Sequence, residues 1–120
     1  MTRRKLGALG EEAAAELLRS RGYRIVTRNH RCRLGEVDLI VEKGGILAFV
    51  EVRTRASSVF GGPEETVGVR KQRRVIAAAR DWLAQRRGPA RALRFDVVAV
   101  VDGPGGPLLT HIENAFDAVG

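Results

Sequence analysis

The alternation of apolar and polar positions divides the chain into seven segments. Residues 6–21 place Leu6, Leu9, Ala13 and Leu17 on one stripe of a helix, and Gly22 follows as a stop. Residues 23–27 read as a strand, followed by a polar, basic connection, Arg28-Asn29-His30-Arg31-Cys32-Arg33. Two apolar runs come next, 36–41 and 46–53, with Gly44-Gly45 between them as a tight hairpin turn. Residues 57–63, with Gly61-Gly62, read as a loop. From 67 to 87 a second helix carries Gln72, Val75, Ile76, Ala79 and Leu83 on one face, and Gly88-Pro89 ends it. Residues 93–101 are apolar on both sides, as in a central strand, and a turn-rich stretch, 102–107, leads to a last short strand, 108–112. The order is αβββαβ with one added strand, which predicts a single α/β domain in which helices cover a mixed sheet.

The hairpin holds the informative chemistry. With a two-residue turn Lys43 pairs with Ile46; Ile40 then faces Phe49, Asp38 faces Glu51 and Glu36 faces Arg53, these three pairs sharing one side of the sheet. A four-residue loop keeps that facing, whereas a three-residue loop slips the register and brings Val50 or Val52 opposite Asp38. Opposed residues have Cβ atoms about 4.5–5.5 Å apart, and like charges there repel. A divalent cation, which takes hard oxygen ligands, is the natural partner for such a pair. The plainer alternative is a solvated network of Glu36, Asp38, Glu51 and Arg53. Against it, Asp38 precedes Leu-Ile-Val and Glu51 follows Phe-Val, runs that suit interior strands.

Charge points to the partner. The 120 residues carry a net charge of +7, unevenly spread: all 21 Lys and Arg lie in residues 1–95, while 96–120 hold acids and no Lys or Arg. A basic surface of this kind favours a polyanion, most commonly nucleic acid. Arg28, Arg31, Arg33, Arg55, Arg70, Arg73 and Arg74 are the candidates for backbone phosphates, since guanidinium suits bidentate phosphate contacts. The alternatives are plain solubility charge or a basic face that docks an acidic protein. The lone Cys32 excludes an internal disulfide and fits a reducing cytoplasm. Arg3-Arg4-Lys5 is not followed by the apolar stretch of a signal peptide, and no run has the length of a membrane span. His30 and Cys32 lack a second ligand pair for zinc, Ser57, Ser58 and Thr54 have no evident His and acid partners for a triad, and the glycine runs lack the Lys-Ser/Thr of a phosphate loop.

Phosphodiester hydrolysis needs an activated water and neutralisation of charge growing on the phosphoryl oxygens, and a carboxylate-held metal supplies both. Asp38 and Glu51 are the candidate ligands. Arg53, two residues on, projects from the face of Glu51 and places a cation beside them. Glu11, at the border of the first helical stripe, is a third candidate, with a solvated helix glutamate as the alternative. Gln72 falls within the apolar stripe of the second helix, where it needs partners. It either contacts the metal-bound water or phosphate, or caps a buried backbone group. Lys71 flanks it. Asp96, at the start of a buried strand, reads as structural, and Trp82 and Phe116 as core aromatics.

These residues, together with Gly10-Glu11, Ala14, Gly22-Tyr23, Arg28-Asn29, Gly35-Glu36-Val37-Asp38-Leu39-Ile40, Phe49-Val50-Glu51-Val52-Arg53-Thr54-Arg55, Lys71-Gln72, Arg94-Phe95-Asp96-Val97-Val98 and Asn114-Ala115-Phe116, resemble the YraN family over nearly the whole chain. That family is similar to archaeal Holliday-junction resolvases and to the broad PD-(D/E)XK nuclease-like group. The resemblance implies a restriction-endonuclease-like core, Mg²⁺ or Mn²⁺ as cofactor, and structured or branched DNA as substrate. It implies Asp38 and Glu51 as metal ligands, the Val52 carbonyl as another, and Glu11 as the helix glutamate of the pattern. Symmetric junction cutting requires a homodimer. At one position the chain departs from the pattern, Arg53 standing where the family usually has Lys. Arginine stays protonated, so it suits charge stabilisation and not proton abstraction. Lys71, from the second helix, is then the candidate substitute.

Overall fold

Among the described residues five strands form one sheet in chain order, with a single parallel pair. The computed structural model of the chain describes residues 3–55, 67–86, 88 and 91–118. Its elements are α1 (Arg3–Ser20), β1 (Arg24–Cys32), β2 (Gly35–Lys43), β3 (Ile46–Arg55), α2 (Val69–Ala84), β4 (Ala92–Gly103) and β5 (Gly106–Phe116). β1, β2 and β3 form an antiparallel meander, α2 carries the chain across to β4 parallel to β3, and β5 returns antiparallel to β4. The expected α/β architecture, an αβββαβ core with a mixed sheet flanked by helices, is the one observed. No described helix is long and apolar enough to cross a membrane.

The two sheet faces bury separate cores. Ala14, Ala15 and Leu18 of α1 pack on Leu39, Val41, Ala48, Val50, Val98 and Val100. Val75, Ala78, Ala79 and Trp82 of α2 pack on Val37, Ile40, Leu47, Phe49, Phe95 and Val97. Alternate residues of β3 and β4 therefore serve opposite helices, which is why both strands read as unbroken apolar runs.

Several boundaries and faces differ from the expected ones. The segment read as a basic connection is the second half of β1. An edge strand pairs on one side only, so it tolerates arginines in water while His30 and Cys32 turn inward to α2. The buried stripe of α1 is Gly10, Ala14, Ala15 and Leu18, whereas Leu9 is 57% exposed. Small residues let the helix approach so closely that a Cβ at Gly10 would collide with the Thr54 hydroxyl. In α2 the centre of the buried face is Ala78 and Trp82, with Ile76 and Leu83 only flanking it. The indole N–H of Trp82 donates to Thr27 Oγ1 at 3.0 Å and fixes that rotation. β5 is also longer than its apolar run, extending through Asn114 and Phe116. The side chain of Leu6, the 57–63 loop and Pro89 lie outside the described residues.

Candidate active site

The hairpin register is the two-residue one, Lys43 facing Ile46 across Gly44, which takes φ 59 as the first position of a primed turn requires. Pairing continues to Leu39–Val50 and stops there. Had it continued, Val37 and Val52 would exchange the next backbone hydrogen bonds. Instead the Val52 N–H donates to Asp38 Oδ2 at 2.8 Å. The Asp38 carboxylate thus replaces a strand carbonyl, and the expected ladder pairs Asp38–Glu51 and Glu36–Arg53 do not form. Because a strand residue's N–H and C=O share one flank, the Val52 carbonyl also lies on the side of Asp38. Side-chain alternation breaks at the same point: Val37 and Ile40 join the α2-side core, Leu39 and Val41 the α1-side core.

Although the ladder has opened, the two acids interact. The charge of Asp38 acts on Glu51, which is only 5% exposed. Burial, reinforced by the charge of Asp38, pushes the Glu51 carboxyl up to about 8, against the pull of Lys71. Burial raises Asp38 too; the Val52 amide opposes that shift and the negative charge of Glu11 adds to it. Glu51 Oε1 lies 3.4 Å from Lys71 Nζ, while Glu51 Oε2 is buried with no hydrogen-bond partner among the described residues. Lys71 also stands 3.7 Å from Glu36 Oε1, and Arg31 Nε donates to Glu36 Oε2 at 3.2 Å. Charges of alternating sign, Arg31, Glu36, Lys71 and Glu51, therefore line the approach from β1 and α2.

The remaining candidates fall as follows. Glu11 is half-buried on α1, its Oε2 accepting the Asn29 side-chain amide at 3.3 Å. Arg53 is half-buried on β3, two residues beyond Glu51. Gln72 caps a backbone group, its Nε2 donating to the Val67 carbonyl at 2.7 Å. Arg28 pairs with Glu12 at 2.8 Å on the α1 side of β1. Arg33 is exposed in the β1–β2 turn, Arg55 is half-buried at the end of β3, and Arg70, Arg73 and Arg74 are exposed along the first turns of α2. Two residues of the cleft are given no site role by the sequence: Asn29, quoted only in the family resemblance, and Glu36, read only as a ladder partner or surface charge. Asn29 has φ 49, a conformation in which Asn is enriched; an Asn inside a basic strand is the only signal that could have flagged it.

The donor set suits a hard divalent cation. Among the described residues no three His, Cys, Asp or Glu side chains converge as a ligand cluster by themselves. Asp38, Glu51 and the Val52 carbonyl would be the donors to such an ion, and the orphaned Glu51 Oε2 is the atom it would satisfy.

A second polar cluster is closed. Asp96, fully buried, accepts two bonds from Arg94, one from the Asn114 N–H at 3.0 Å, and contacts His111 Nε2 at 2.8 Å. Arg94 continues to the Tyr23 hydroxyl at 2.5 Å. Every carboxylate oxygen is satisfied, as a structural role for Asp96 requires.

A family model described as uncharacterised protein family UPF0102 matches residues 10–100. Among curated relatives, a UPF0102 protein of Anaeromyxobacter dehalogenans is 55% identical, covering 98% of this chain and 88% of its own. UPF0102 protein STH1475 of Symbiobacterium thermophilum is 49% identical over 96% and 98% of the two chains. A UPF0102 protein of Persephonella marina is 41% identical over 92% of each.

Proposed function

The chain belongs to the uncharacterised protein family UPF0102, and for this member of it we propose a nucleic-acid-binding protein that acts as a divalent-metal-dependent DNA endonuclease on structured or branched DNA. The observation that carries this reading is a carboxylate, Glu51, 5% exposed, beside a second acid and with one oxygen unpartnered. Lys71 meets the other oxygen, but a buried carboxylate oxygen left without any partner is costly.

Asp38, Glu51 and the Val52 carbonyl would hold Mg²⁺ or Mn²⁺, and Glu11 adds negative charge from α1. When bound, the ion supplies Lewis-acid polarisation and an activated water. Lys71 and Arg53 stabilise charge on the phosphoryl oxygens. Arg53 serves only electrostatically, since guanidinium does not give up its proton. Gln72 holds the entry to α2 rather than touching substrate, in keeping with its bond to the Val67 carbonyl. Arg28, Arg31, Arg33, Arg55, Arg70, Arg73 and Arg74 take backbone phosphates, which makes binding salt-sensitive. Branched DNA rests on the family resemblance, a homodimer is the assembly symmetric cutting needs, and the cytoplasm is the compartment where such DNA lies.

A second reading, a nuclease fold that binds DNA without turnover, is favoured by Arg53 in place of the motif lysine. A cleavage panel of duplex, single-stranded, flap and four-way DNA with Mn²⁺ separates the two. The enzyme reading expects cleavage that vanishes in Asp38→Ala and Glu51→Ala while DNA affinity is kept. Binding without cleavage on every substrate establishes the second reading.

A further inference from the structure

Arg28 and Asn29 are consecutive residues of β1, yet both side chains reach α1: Arg28 Nη1 donates to Glu12 Oε2 and Asn29 Nδ2 to Glu11 Oε2. Strict alternation sends neighbours to opposite faces. The left-handed backbone of Asn29, φ 49, is what turns its side chain to the same face as Arg28. His30, the next residue, returns to α2 and meets Asp81 at 2.8 Å.

The position across from this kink is Asp38. β1 pairs Arg28 with Leu39 and His30 with Val37, which leaves Asn29 and Asp38 opposite each other. Alternation in β2 fails at that same residue, and there Asp38 leaves the ladder to accept the Val52 N–H. The irregularities in the two strands are thus one feature. On one side Asn29 holds a glutamate of α1; on the other it adjoins the acid that opens the β2–β3 ladder.

We propose that Asn29 is the positioning residue of the carboxylate cleft, its left-handed backbone setting the kink at Asp38 and its amide holding Glu11 toward the same cation. This rests on the metal-site reading given above. Asn combines both requirements: it tolerates the left-handed region at little cost and carries an amide donor for a carboxylate that can only accept. Glycine meets the first requirement alone, alanine neither.

The test is Mn²⁺ affinity, measured by calorimetric titration of the intact chain without DNA, alongside thermal unfolding. Asn29→Gly keeps the backbone and removes the amide; it is expected to fold with little change in melting temperature and to bind Mn²⁺ about 10-fold more weakly, the scale of outer-shell losses. Glu11→Gln is expected to weaken binding similarly. The double variant should lose no more than Glu11→Gln alone, because the amide acts through that glutamate. Asn29→Ala, strained at φ 49, should lose affinity and stability together. Asn29→Gly that binds Mn²⁺ like the parent, or whose loss adds in full to that of Glu11→Gln, overturns the inference. Asp38→Ala is the control for the site itself. If it retains parental Mn²⁺ affinity, the metal-site reading is wrong, whatever Asn29 does.

Discussion

Lys71 Nζ sits 3.4 Å from Glu51 Oε1, so a lysine on α2 is the ammonium that meets the most deeply buried acid of the cleft. Two residues after Glu51 stands Arg53, a guanidinium where the resemblance leads one to expect an ammonium. In the proposed nuclease reading the ammonium beside the buried acid therefore comes from α2, with Arg53 as a second positive charge. Lys71→Met is expected to lower Mn²⁺-dependent cleavage about 100-fold, the loss typical of removing one preorganised donor. Arg53→Lys should not rescue it. Initial rates on the best substrate of the cleavage panel check both expectations.

The raised Glu51 carboxyl sets a pH dependence. Its folded value is about 8 against an ordinary 4.5, so over that window the unfolded chain gives up its proton while the folded chain keeps one. Stability is greatest below pH 4.5 as far as this group is concerned and falls as pH rises toward 8. Asp38, shifted in the same direction, adds to the fall. In chelator, Glu51→Gln should flatten this slope, leaving the variant more stable than the parent at about pH 8.5 and closer to it at about pH 5. Urea midpoints at the two pH values decide the matter, and a parent slope that survives Glu51→Gln assigns the dependence elsewhere.

Removing Asp96 should damage the fold and spare the site. Asp96→Ala takes the shared carboxylate from the Arg94 guanidinium, the His111 ring and the Asn114 N–H at once, at a position with no exposure. Breaking a buried ionic network of this kind costs about 3–5 kcal/mol. Chemical denaturation should show that loss, while Mn²⁺ affinity of the folded fraction stays at the parental value.

The α2 arginines make a prediction about salt. Arg70, Arg73 and Arg74 are exposed beside Lys71. Changing all three to alanine should weaken DNA binding across sequences and reduce the slope of log affinity against log salt by about 2–3, roughly one for each phosphate no longer neutralised. Fluorescence anisotropy over a salt series measures the slope directly; an unchanged slope removes this helix from the DNA surface.

How much of this is legible in the chain depends on whether local rules govern the residue. Gly44-Gly45 fixes the hairpin register because a two-residue turn leaves the strands no other phase, and that register holds as far as Leu39–Val50. The opening of the ladder is not legible. It coincides with φ 49 at Asn29 in another strand, and nothing in the periodicity of β2 announces it. The α1 stripe lies one position away from the expected one, because leucines outweigh glycine and alanine in a reading by hydrophobicity. Against a sheet approached this closely, small side chains make the contact. Residues 28–32 look like a connection because edge strands obey solvent rather than the core. For Gln72 the periodicity allows two roles, and the contact that suits a cap, its Nε2 to the Val67 carbonyl, comes from the tertiary structure alone.

The contact between Gly35 and α2 places a limit of its own on the cleft. Any Cβ at residue 35 would overlap the main-chain carbonyl of Arg74, a group that cannot rotate aside as the Thr54 hydroxyl can at Gly10. Arg74 lies one helical turn past Lys71, so the thickness of a hydrogen atom at the start of β2 gauges how far the ammonium extends over the acids. A single methyl group there would lift the helix and withdraw its lysine, disarming the cleft from a position that touches none of its donors.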